Sequence, residues 1–118
     1  AAVDKALSLA EQRSGYVLFQ KCRAETALGR YREAVDSCQR SISREEWWMQ
    51  HAYLVACYAL MDDARNLATA RDTMARMHPG LSIARFKALR LSNVPEYERQ
   101  AEEHLYRGLR KAGIREAN

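Results

Sequence analysis

Apolar residues return every three or four positions along most of this chain, and short polar breaks divide them into seven segments of helical period. The first covers about residues 2–13, with Val3, Ala6, Leu7 and Ala10 on one stripe, and Ser14-Gly15 reads as its stop. Helices follow at about residues 16–28, closed by Gly29, and at about residues 31–43. A fourth, at about residues 46–61, is apolar nearly all round (Ala52, Val55, Cys57 and Tyr58 among others), so it is expected to be the most buried. A fifth, at about residues 62–77, opens on Asp62-Asp63, where acid favours the positive end of the helix dipole, and ends at His78-Pro79-Gly80. A short helix at about residues 81–90 carries Ile83, Phe86 and Leu89. Ser92-Asn93-Val94-Pro95 then reads as a cap with a first-turn proline. The last helix, at about residues 95–112, carries Tyr97, Ala101, Leu105 and Leu109 on one stripe and is closed by Gly113.

The breaks recur with a period. Aligning the turn at Gly29 with that at Asp62 gives 62 − 29 = 33 residues, with two amphipathic helices in each unit, which is the spacing of a stacked helical repeat. The string Gly29-x-Tyr31-x-x-Ala34 resembles the turn of the tetratricopeptide repeat, and Leu54, Val55, Tyr58 and Pro79 fall on further positions of that pattern. Lys21 stands where the pattern has leucine, and Asp62 where it has glycine. The resemblance implies an all-α superhelix of antiparallel helix pairs: a half repeat at residues 1–14, repeats at 15–46 and 47–80, and a C-terminal cap at 81–118. The tail strings His78-Pro79-Gly80-Leu81 and Gly108-Leu109-Arg110-Lys111 resemble the end of such regions in bacterial multidomain regulators, where a class III adenylate/guanylate cyclase or a winged-helix domain precedes the repeats.

Charge adds little. The 118 residues carry a net charge of +4. The late basic residues Arg85, Lys87, Arg90, Arg99, Arg107, Arg110, Lys111 and Arg115 alternate with Glu96, Glu98, Glu102, Glu103 and Glu116, the pattern of a solvated, internally paired face and not of a nucleic-acid surface. No run of 18 apolar residues is present, and no charged-then-apolar leader is visible. Cys22, Cys38 and Cys57 are an odd, widely spaced set without Cys-x-x-Cys, expected to be small core side chains in a reducing cytoplasm. The chain opens at Ala1 inside an amphipathic pattern, as expected of a piece cut from a longer protein.

The sequence offers no catalytic constellation. It has no glycine-rich phosphate loop, and His51, His78 and His104 fall on separate helices without a His-x-x-x-His pair. Glu45-Glu46 and Glu102-Glu103 are adjacent, about 100° apart on a helix, so neither makes an acid–base pair on one face. No catalytic residue, metal or cofactor is therefore expected. The expected asset is surface. In the tetratricopeptide family the first helix of each repeat lines a concave groove. That implies Tyr16, Phe19, Arg23 and Thr26 from one repeat and Met49, Ala52, Tyr53 and Ala56 from the next as a protein-binding groove, with Trp47 and Trp48 at the seam. The expected function is a non-enzymatic protein-interaction or regulatory module of a cytoplasmic bacterial signalling protein, with a protein or peptide partner and no membrane. A two-fold dimer of the chain through Val3, Leu7 and Ala10 is a further expectation. The alternative is a small-ligand sensor controlling a tethered adenylate cyclase, which requires a closed apolar cavity of roughly 300 Å³ or more.

Overall fold

Three helices end the same way, and those ends set the architecture. A computed structural model describes residues 2–89 and 95–117, with side chains from residue 14 onward. Its helices are α1 (Ala2–Ala27), α2 (Tyr31–Arg44), α3 (Trp48–Leu60), α4 (Ala64–Met77), α5 (Ile83–Ala88) and α6 (residues 95–111). At the end of α1, Gly29 takes φ +75°, its N–H bonds Thr26 O at 3.0 Å, and the next N–H, of Arg30, bonds Glu25 O at 2.8 Å. At the end of α3, Asp62 takes φ +57° in the equivalent place, with Asp62 N–H on Ala59 O and Asp63 N–H on Tyr58 O. At the end of α6, Gly113 at φ +89° and Ile114 repeat the pattern onto Arg110 O and Leu109 O. A left-handed residue just past the cap lets two N–H groups return to otherwise unpaired carbonyls of the last turn. Gly29 and Asp62, 33 residues apart, are thus equivalent points of two helix pairs, α1–α2 and α3–α4.

The chain is all-helical, with no strand among the described residues. Among the described residues the helices number six, not seven, because the stop expected at Ser14-Gly15 is absent and α1 runs through it. Gly15 is buried and serves close approach. A Cβ there would lie 3.1 Å from Arg44 Cβ, and Gly15 O accepts the Ser41 hydroxyl at 2.7 Å. A small residue at a helix–helix crossing and a small residue at a helix end look alike in sequence. The expected cap at residues 92–94 lies outside the described residues.

Helix α3 is the centre of the molecule, buried without interruption from Gln50 to Ala59. Its two polar residues there are satisfied. Gln50 Nε2 donates to Ser41 Oγ at 2.7 Å and to Glu45 O at 2.8 Å, while Gln50 Oε1 accepts Trp47 N–H at 2.5 Å. Gly15 O, Ser41 Oγ and Gln50 Nε2 therefore form a buried chain across α1, α2 and α3, where an unpaired amide would cost about 1–3 kcal/mol. His51 bonds Glu46 Oε2 at 2.8 Å. Asp63 caps α4 through Asn66 N–H, and Ser82 caps α5 through Arg85 N–H. The first two N–H groups of α5 reach the tail, Ile83 N–H on Arg115 O and Ala84 N–H on Glu116 O.

Helix α6 is continuous but not uniform. An α-helical start (Pro95–Ala101) widens into a π-helical stretch (Glu102–Tyr106) before returning to α (Arg107–Lys111). Just past the widened turn, Gly108 lies against α3 so closely that a Cβ would sit 2.6 Å from Ala56 O.

Candidate interaction surface

The eight expected groove residues separate into a filled groove and an open bowl. Phe19, Thr26, Ala52, Tyr53 and Ala56 are buried, so they do not line an open groove, contrary to the sequence-based expectation. Helix α6 lies where a partner would have to lie. Tyr97 stacks under the Arg23 guanidinium at 5.0 Å, the Tyr97 and Tyr53 hydroxyls are 3.2 Å apart, and Gly108 rests on Ala56. Burial, with the neighbouring Tyr97, holds the Tyr53 phenol well above its ordinary range and therefore neutral. The space left between Arg23, Tyr53, Tyr97 and His104 is about 10 Å³, the size of one water molecule and too small for a ligand.

Tyr16 and Met49 point elsewhere, with Phe19 beneath them. They line a surface bowl of about 560 Å³ together with Glu46, Trp47, Trp48 and Met77. Four elements converge here. Helix α1 supplies Tyr16 and Phe19, and the α2–α3 connection supplies Glu46 and Trp47. The first turn of α3 gives Trp48 and Met49, and the last residue of α4 gives Met77. The rings are held from behind. Trp48 is edge-on to Phe86 at 5.6 Å and 4.5 Å from the His78 ring. Trp47 lies 6.1 Å from Phe19, which is itself edge-on to Tyr53 at 5.5 Å. Such contacts fix the orientation of the rings. Tyr16 is 56% exposed and Met77 40%, fractions that place apolar area at the rim in water. Sequence reasoning set Trp47 and Trp48 at the seam but passed over Met77 and Glu46. Met77 closes the bowl because α4 ends beside the start of α3, a tertiary fact without a local signal.

Most of the other polar groups are internally engaged, although Arg23 Nε and His78 Nδ1 are buried without a hydrogen-bond partner among the described residues. Cys22, Cys38 and Cys57 are buried free thiols. Cys38 Sγ donates to Gln50 O at 3.1 Å. The hydrogen bond with Cys38, then burial, raises the Cys22 pKa. Burial first pushes Cys57 up from 9.0 to about 12, so Cys22 and Cys57 stay protonated core groups. His104 Nδ1 pairs with the Tyr31 hydroxyl at 2.7 Å. The charged tail is cross-linked as its mixed signs predict: Arg99 with Glu96, Lys87 and Arg110 with Glu102, Arg110 with Glu116, and Lys111 with Asp62. Arg90 of the expected basic set lies outside the described residues. Among the described residues no group of three or more His, Cys, Asp or Glu could hold a metal ion, and no helix is long and apolar enough to cross a membrane. No protein-family model, no curated protein and no solved structure matches this chain.

Proposed function

We propose that this chain is a protein-interaction module of tetratricopeptide kind whose contact surface is the aromatic bowl and not the concave groove. The observation that carries the reading is the bowl itself. Two tryptophans, a tyrosine, a phenylalanine and two methionines meet around about 560 Å³ of open surface, and Trp, Tyr and Met are the residues over-represented where proteins bind one another. Two helix pairs with equivalent turns 33 residues apart support the repeat reading. The resemblance of the tail to the ends of bacterial regulators supports a place in a larger cytoplasmic signalling protein, a cyclase or a transcriptional regulator. The sensor alternative needs a ligand cavity in the groove, and the space of about 10 Å³ there does not favour it.

The test is a peptide selection. Binders drawn from a random display library against the folded chain are expected to lose affinity about tenfold on Tyr16→Ser or Met77→Glu, both exposed rim positions. They are expected to ignore Asp36→Asn, on the exposed side of α2. Binders indifferent to both rim changes, or no binders at all, would refute the reading.

A further inference from the structure

We infer that the bowl receives a basic side chain, arginine or lysine, carried on an apolar segment of a partner polypeptide; this rests on the reading of the bowl as a contact surface. Size comes first. A volume of about 560 Å³ falls in the range of drug-sized sites, so the occupant is larger than one side chain and brings an apolar body with it. Charge comes second. Among the described residues no Lys or Arg lines the bowl, and its charged lining residue is Glu46. One Glu46 oxygen holds His51 Nε2 at 2.8 Å, and a carboxylate with two oxygens has acceptor sites beyond that one. Aromatic faces add to the same preference. The faces of Trp47, Trp48 and Tyr16 carry partial negative charge, attract cations, and disfavour a carboxylate. The chain already uses this chemistry internally, with Arg23 over Tyr97 at 5.0 Å and Lys87 over Tyr106 at 4.9 Å. The rings are fixed from behind, so little ordering opposes binding, while Met49 and Met77 adapt to whatever apolar neighbour accompanies the cation.

Three capped tripeptides test this on the whole chain: acetyl-leucyl-arginyl-leucine amide, its citrulline analogue, and its glutamate analogue, each titrated while the indole N–H signals of Trp47 and Trp48 are followed by NMR. Citrulline keeps the shape of arginine and removes the charge. The arginine peptide is expected to bind about fivefold more tightly than the citrulline one, the combined scale of a half-exposed ion pair and a cation–π contact. The glutamate peptide should be weakest. The gap should close in Glu46→Gln, and Glu46→Lys should reverse the order of the arginine and glutamate peptides. Added salt should weaken the arginine peptide alone, a readout that needs no variant. Equal arginine and citrulline affinities with clear indole shifts would overturn the inference and leave the contact surface standing. Tripeptides that move neither indole would overturn it too, and the display selection would still decide the contact surface separately.

Discussion

Two glycines in the described body of the chain do the same job and are read differently from sequence. Gly15, after Ser14, carries the signature of a helix stop, and Gly108, inside an amphipathic run, carries none. Both instead let one helix touch another, and the distances rank them. At Gly108 a Cβ would lie 2.6–2.8 Å from the α3 backbone and Ala56 Cβ, while at Gly15 the nearest atom is Arg44 Cβ at 3.1 Å. At Gly108 the α3 backbone itself must shift, whereas at Gly15 a few tenths of an ångström of give at Arg44 Cβ relieves the contact. Gly108→Ala is therefore expected to destabilise by about 1–3 kcal/mol through overpacking. Both changes gain roughly 0.5–1 kcal/mol of helix propensity, which offsets the milder contact at Gly15 but not the clash at Gly108. Chemical denaturation should give a much lower midpoint for Gly108→Ala than for Gly15→Ala. Similar midpoints would mean that α6 is not seated on Ala56 as described. Close approach is a property of two segments at once, so neither glycine's role was legible in one.

Elements were more readable than residues. Helix α3 declares itself by apolar positions on every side, and its ten consecutive buried residues follow from that. The turn at Gly29 was legible for a local reason, since glycine accepts a positive φ. The turn at Asp62 was legible only through its 33-residue spacing, because aspartate in that conformation is strained by roughly 1 kcal/mol. Asp62 is held by Lys111 at 2.7 Å, but both side chains are largely exposed, and such a pair contributes little. Asp62→Gly is thus expected to raise stability by about 0.5–1 kcal/mol, seen as an upward shift in thermal midpoint. A fall would show that the Lys111 pair outweighs backbone strain, and that the tie between the α3–α4 turn and α6 matters more than its exposure suggests. The break expected at Ser14-Gly15 failed for the converse reason. Residue type alone marks a stop there, and the close contact of Gly15 with α2 overrides it.

At the scale of the whole molecule, the groove was the least legible part of the candidate site, because its fate depends on where a distant helix lands. Nothing near Tyr53 or Ala56 announces that Tyr97 and Gly108 will cover them; the stripe on α6 says only that it covers something. That closure has a consequence in alkali. Burial first, then Tyr97, raises Tyr53 well above its ordinary pKa of 10.0, and burial raises Cys57 from 9.0 to about 12. Both groups are neutral when protonated, and unfolding returns them to their ordinary values. Between those values and the raised ones the unfolded chain has released protons that the folded chain still holds, so stability falls as pH rises. The contribution is fully present below about pH 9 and is lost progressively from there through pH 12. Denaturation midpoints are therefore expected to be flat from about pH 7 to 8.5 and to drop steadily above 9.5. Tyr53→Phe keeps the ring that packs on Phe19 and removes the ionising hydroxyl. It should start lower, having lost the Tyr97 contact, and fall less steeply, so the two curves converge with rising pH. Parallel curves would mean that Tyr53 reaches water in the folded protein, and that α6 does not close the groove.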